Sequence, residues 1–188
     1  IDSNWYLEKA DRNRTARDFY NDTFLTDQNA CTSPQIVVWL GGRRAEAREV
    51  FWGALYELAK ARYELQPVQG VDKLVKSCLL AAEQEGVRVQ PRPDNLIYRV
   101  SVPSLSKELL DHTGNSGYFL EYDCGDILEL RSLCSDPRCQ TVAYGGEKEL
   151  LTPLLNTGIK GIDRVVPIGK TMDFDLIWDG YNLYERLT

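Results

Sequence analysis

Ile36-Val37-Val38-Trp39-Leu40-Gly41-Gly42 is an unbroken apolar run closed by two glycines. Apolar and polar positions do not alternate in it. That pattern fits a strand covered on both faces, as in a parallel sheet, rather than a half-exposed antiparallel one. The segment Arg43 to Leu65 follows at once and sets Ala47, Val50, Phe51, Ala54, Leu55 and Leu58 along one face. This is the strongest amphipathic helix pattern in the chain. Strand, tight turn and helix form the unit from which α/β layers are built.

The same alternation continues toward the C-terminus. Pro67 and Gly70 interrupt, and then Val71 to Glu85 aligns Val71, Leu74, Val75, Cys78 and Ala82 on one face before Gly86. Val87–Val89, Ile97–Val102, Tyr118–Tyr122, Gln140–Tyr144 and Arg164–Ile168 read as further strands. Ser104–Leu110 (capped by Ser104), Asp126–Leu133 (capped by Asp126) and Glu147–Asn156 (limited by Pro153) read as short helices. The tail from Met172 to Thr188 is aromatic and irregular. The expected fold is therefore α/β, one domain over residues 1–188, with a mostly parallel sheet and flanking helices. Ligands are expected at the C-terminal strand ends.

Upstream of the first strand lies Asp27-Gln28-Asn29-Ala30-Cys31-Thr32-Ser33-Pro34-Gln35. Before it, Ala16, Phe19, Tyr20 and Phe24 recur at helical spacing within one helix expected over Asn4 to about Leu25. A cysteine in a small, polar, turned segment can be presented to a substrate, which nucleophilic chemistry requires. The alternative is a packed loop cysteine. Gln28, Asn29, Thr32 and Ser33 can hydrogen-bond around the thiol, but none is a strong base. His112, the only histidine, either pairs with Cys31 or is solvated; sequence separation does not decide between the two.

Composition narrows the function classes. The net charge of −6 and pI near 4.9 argue against a nucleic-acid surface, and Arg43-Arg44 is only a small basic patch. No apolar run approaches a membrane span. Five cysteines (Cys31, Cys78, Cys124, Cys134 and Cys139), an acidic chain and no secretory signal point to reduced thiols in the cytoplasm. The Cys134/Cys139 spacing does not suit a zinc site, so no metal is expected. Neither a Gly-x-Gly-x-x-Gly turn nor a Walker loop is present, so no nucleotide cradle is encoded.

Four ordered blocks carry a resemblance: residues 27–35 quoted above, Gln140-Thr141-Val142-Ala143-Tyr144-Gly145-Gly146, Gly161-Ile162-Asp163-Arg164-Val165-Val166-Pro167-Ile168-Gly169, and Trp178-Asp179-Gly180-Tyr181. Together they resemble the fatty acyl-CoA reductase family of bacterial luminescence and its non-luminous relatives, which is similar to the aldehyde dehydrogenase superfamily. The resemblance implies an aldehyde dehydrogenase-like catalytic domain, with an NADPH-binding domain expected upstream of Ile1. It implies that Cys31 takes the acyl group of a long-chain acyl-CoA or carrier thioester, and that NADPH reduces the acyl-enzyme to a fatty aldehyde. The Cys31 backbone N–H becomes the candidate oxyanion donor, with Asn29 and Thr32 beside it and Gln140 and Thr141 lining the site. Trp178 and Tyr181 are candidates for packing an acyl chain or a domain interface. A homo-oligomer and an acyl-protein synthetase partner are implied in the same way. Two rivals stand beside it: a cysteine acyltransferase or thioesterase that uses Cys31 without a nicotinamide, and a non-catalytic interaction domain. An exposed apolar face is expected where the upstream domain would dock.

Overall fold

A computed structural model describes residues 1–174, 176–178, 181, 182, 184 and 185. Asp179, Gly180 and the side chains of Trp178 and Tyr181 lie outside the described residues, so the roles expected of that block are not addressed.

The apolar run forms β1 (Ile36–Trp39). It belongs to a four-stranded sheet with β2 (Arg88–Val89), β3 (Tyr98–Ser101) and β4 (Tyr118–Asp123), in the order β1-β4-β3-β2. The β1–β4 and β4–β3 pairs are parallel, with Ile36 opposite Leu120 and Tyr98 opposite Tyr118; β2 adds an antiparallel edge. The α/β expectation with a mostly parallel sheet holds at this level. Both faces of β1 are packed, as the missing alternation required. Val37 and Trp39 enter one cluster, while Ile36 and Val38 pack against two others on the opposite side.

One layer over the sheet comprises α1 (Ser3–Glu8), α2 (Arg12–Thr23) and α3 (Arg44–Arg62). The single helix expected over Asn4–Leu25 is instead two. The Asp11 side chain accepts from the Arg14 N–H at 3.0 Å and caps a new start. Beneath these helices Phe19, Phe51, Trp52 and Trp39 meet edge to face, with ring centroids 5.1 Å apart for Phe19–Phe51 and for Phe51–Trp52. Trp52 was not on the face read from the sequence, yet it is fully packed. Its indole N–H donates to Glu121 at 2.6 Å, and Trp39 donates to the same carboxylate oxygen at 2.9 Å. Arg99 donates to the other oxygen at 3.0 Å, and Arg48 lies 3.3 Å away. Glu121 is wholly buried, and this full set of partners is what makes a charge tolerable there.

The next helix corrects an expectation. α4 (Pro67–Glu83) begins at Pro67, ahead of the expected Val71 and running through Gly70, with proline at the first helical position where its missing N–H costs nothing. Its apolar face points outward: Val71, Leu74, Val75 and Leu79 are exposed, as are Cys78 and Ala82. Lys73, Ser77 and Leu80 are the residues buried. Lys73 Nζ donates to the Asn95 and Leu96 carbonyls at 2.7 and 3.2 Å, and Ser77 Oγ lies 2.9 Å from the Tyr98 hydroxyl.

A second, two-stranded parallel sheet pairs β5 (Gln140–Tyr144) with β6 (Ile162–Pro167), which starts earlier than expected. The first residues of the chain stitch the two sheets together. Leu40 N donates to Ile1 O at 2.9 Å, Ser3 N to Leu40 O at 2.9 Å, and Asp2 N to Gly145 O at 2.8 Å. The short helices expected after Asp126 and Glu147 are 3₁₀ turns (Ile127–Leu130 and Lys148–Leu151) that run into α5 (Arg131–Cys134) and α6 (Thr152–Leu155). The helix expected at Ser104–Leu110 is a 3₁₀ turn over Lys107–His112, with Ser106 rather than Ser104 ahead of it. In the tail, where irregular chain was expected, β7 (Ile177–Trp178) pairs antiparallel with β8 (Tyr181–Asn182). Among the described residues no helix is long and apolar enough to cross a membrane.

Candidate functional site

The Cys31 loop is built by backbone that ordinary residues rarely adopt. After α2 and a 3₁₀ turn (Phe24–Thr26), Asp27 and Gln28 take left-handed φ of 50° and 60°. Such conformations persist only where neighbours over-determine them, and they do here. The Asp27 carbonyl accepts from Ser116 N at 2.8 Å and its carboxylate from the Tyr63 hydroxyl at 2.6 Å. The Gln28 amide is buried and fully used. Its Nε2 donates to the carbonyls of Pro34 (2.8 Å) and Tyr118 (2.9 Å), and its Oε1 accepts from the N–H groups of Gly117 (3.0 Å) and Tyr118 (3.1 Å). One side chain therefore locks the loop before β1 to the turn before β4.

Cys31 is exposed on this clamped loop. Among the described residues its backbone N–H donates to no carbonyl, which leaves the group available to a ligand. The loop opens on a cavity of about 620 Å³, a size suited to a small-molecule site. Asn29, Cys31, Thr32, Gln140 and Thr141 all border it, so the site residues read from distant parts of the sequence are brought to one place. Gln140 opens β5 with φ 47° and ψ −61°, and the strand register shifts between Gln140 and Thr141. The non-glycine residues with positive φ among those described are Asp27, Gln28, Ser116 and Gln140, and all of them belong to this loop, its clamp or the cavity wall. Clustered strain of this kind marks functional sites.

Several expectations change in detail. Cys31 lies ahead of the N-terminal end of β1, and Gln140 is at the start of β5, so these candidate site residues do not sit at the C-terminal strand ends. The Thr32 hydroxyl is buried and donates to Met172 Sδ at 3.5 Å, so it borders the cavity while engaged by the tail. Asn29 accepts from Asn115 Nδ2 at 3.0 Å and remains at the exposed mouth. His112 is not in the lining; its Nε2 lies 3.0 Å from Glu83. Among the described residues the cavity wall contains no Asp, Glu or His, so it offers no carboxylate or imidazole base.

The deeper wall is apolar, with Ile36, Val38, Leu130, Leu133, Leu151 and Ile168. Two cations reach the lining: Lys76, which donates to Thr113 O at 2.9 Å, and Arg138, which is held by Asp136 and Asp111. Sequence reasoning missed Lys76, Asn115 and Ser116. No local pattern marks them, because tertiary pairing with the loop is what gives them a role. Among the described residues no group of three or more His, Cys, Asp or Glu is arranged to hold a metal ion. No protein-family model matches this chain, and no curated protein matches it.

Proposed function

We propose that Cys31 is the acyl-accepting nucleophile of a long-chain acyl-thioester reductase of the fatty acyl-CoA reductase kind, and that this chain is its aldehyde dehydrogenase-like catalytic domain. The observation that carries the proposal is an exposed thiol on a rigidly clamped, strained loop, facing a cavity with a polar mouth and an apolar depth. The Cys31 thiolate adds to the thioester carbonyl, the Cys31 N–H is the donor assigned to the oxyanion, and the outgoing CoA or carrier thiolate takes up a proton as it leaves. A thiol leaving group needs no carboxylate base, which agrees with the wall composition. The aliphatic wall suits an acyl chain, and Lys76 and Arg138 suit the phosphates of a CoA or a carrier.

A nicotinamide would supply the hydride for reduction of the acyl-enzyme. The described residues do not fit it, since the Gly41-Gly42 turn between β1 and α3 lacks the Gly-x-Gly-x-x-Gly spacing and no Walker loop occurs among them. Its binding is assigned to the expected upstream domain, and no step is derived through it. The same observation favours a second reading, a cysteine acyltransferase or thioesterase, in which the acyl group passes from Cys31 to another thiol or to water. Partnership with an acyl-protein synthetase and homo-oligomerisation belong to the reductase proposal.

Intact mass after incubation with a long-chain acyl-CoA tests the common step. One acyl adduct is expected on the parent chain and none on Cys31→Ser. No adduct, or an adduct surviving in Cys31→Ser, refutes the role of Cys31. Fatty aldehyde formed on adding NADPH to the protein with its upstream domain separates reductase from transferase.

A further inference from the structure

Two cysteines unused by the acyl chemistry face each other in the wall of the same cavity. Cys134 ends α5 and is buried; Cys139 is half-buried and directly precedes the strained Gln140. Their sulfurs are 4.0 Å apart, and both border the cavity, which gives Cys139 a route to small solutes. A tight turn holds them in place. The Asp136 carboxylate accepts from Arg138 N and Nε at 3.0 Å, and Pro137–Cys139 forms a 3₁₀ turn. The sulfur–sulfur contact holds the Cys139 thiol below its ordinary range, while that same contact, and after it burial, pushes Cys134 up. One sulfur of the pair is thus disposed to be the thiolate and the other to stay protonated, the asymmetry found in attacking and resolving thiols.

We propose that Cys134 and Cys139 are a peroxide-oxidisable dithiol, with Cys139 the attacking and Cys134 the resolving thiol. The Cys139 thiolate attacks one peroxide oxygen, the O–O bond breaks, hydroxide leaves and takes a proton to become water, and Cys139 becomes a sulfenic acid. Cys134 sulfur then displaces the sulfenic hydroxyl, a second water leaves with the Cys134 proton, and the disulfide forms. Two thiols are oxidised and one peroxide is reduced to two waters. Closing the bond brings the sulfurs from 4.0 Å to about 2 Å. That movement draws on Gln140 and the cavity wall, so oxidation reshapes the space beside Cys31. The pair does not depend on Cys31 carrying acyl groups.

Trypsin cleaves after Arg131, Arg138 and Lys148, which places the two thiols on separate peptides, Ser132–Arg138 and Cys139–Lys148. The whole chain is treated with one equivalent of hydrogen peroxide, alkylated under denaturing conditions and digested without reductant. The two peptides are expected joined, lighter than their sum by two hydrogens, and separated again by a thiol reductant. In Cys134→Ser, Cys139 is expected to stop at a sulfenic acid that a dione probe traps. Cys139 still alkylated after peroxide, or joined to Cys31 or Cys78 instead, would overturn the proposal, and both outcomes are read on the unmodified sequence.

Discussion

At the scale of the residue, Gln28 shows how much one amide can set. It occupies a left-handed position, is buried, and satisfies four backbone groups of two different loops. Gln28→Leu keeps much of the volume but strands those groups away from water. A loss of about 2–4 kcal/mol is expected in urea unfolding, since each buried orphan costs on the order of 1–3 kcal/mol and the loop relaxes in part. Thiol labelling of Cys31 should change in the same variant, because its loop is no longer held. Lys73 is a second case. Burial holds its ammonium down from 10.5 to about 7, against the opposing pull of Asp94. Between those two pH values the unfolded chain binds the proton that the folded one has released, so stability rises with pH across that window. Urea midpoints for the parent should therefore be higher at about pH 9 than at about pH 7 by an increment that Lys73→Met removes. Equal increments in both proteins would show that Lys73 is not the group responsible.

At the scale of the element, α4 separates pattern from placement. Its existence was legible, because the 3.6-residue recurrence of Val71, Leu74, Val75 and Cys78 is a helix signal whichever way the helix faces. Its orientation was not. Lys73 and Ser77 go inward because Asn95, Leu96 and Tyr98 wait there with hydrogen-bonding partners, and those partners come from a later part of the chain. Adjacent leucines test the orientation. Leu80→Ala is expected to cost about 2–5 kcal/mol, while Leu79→Ala, at an exposed site, should stay within about 0.5 kcal/mol. Thermal melts of the two variants that coincide would contradict this packing. The short helices after Asp126 and Glu147 teach a related lesson: the Asp126 cap was readable, but whether the first turn winds as 3₁₀ or α depends on the packing around it.

At the scale of the whole molecule, the cavity exists because two small sheets are docked side by side, with residues 1–2 and the turn before β5 as the joint. Within the second sheet, Gly161 sits where the start of β6 crowds the turn before β5. A Cβ there would lie 2.2 Å from the Asp136 carbonyl oxygen and 2.6 Å from that of Cys134. Gly161→Ala must push back the turn that carries Cys134 and Cys139, at a cost of about 1–3 kcal/mol by analogy with overpacking. Lower thermal stability together with a lower yield of the Cys134–Cys139 disulfide is the expected result. Unchanged melting and linkage would mean that this approach is not what holds the wall in place.

The sequence by itself determined that the chain is α/β with a mostly parallel sheet, and that Cys31 lies on a turned loop feeding the first strand. Both follow from local rules: apolar periodicity, glycine and proline punctuation, and the short range of backbone hydrogen bonds. Tertiary structure alone decided which face of α4 is buried, that Glu121 has partners enough to be buried charged, and that the Thr32 hydroxyl is engaged by Met172. It also decided that Asn29, Cys31, Gln140 and Thr141 meet in one wall at the strand starts. Those outcomes depend on contacts between segments far apart in the chain, and no local pattern encodes which distant group will arrive to satisfy a buried donor, acceptor or charge.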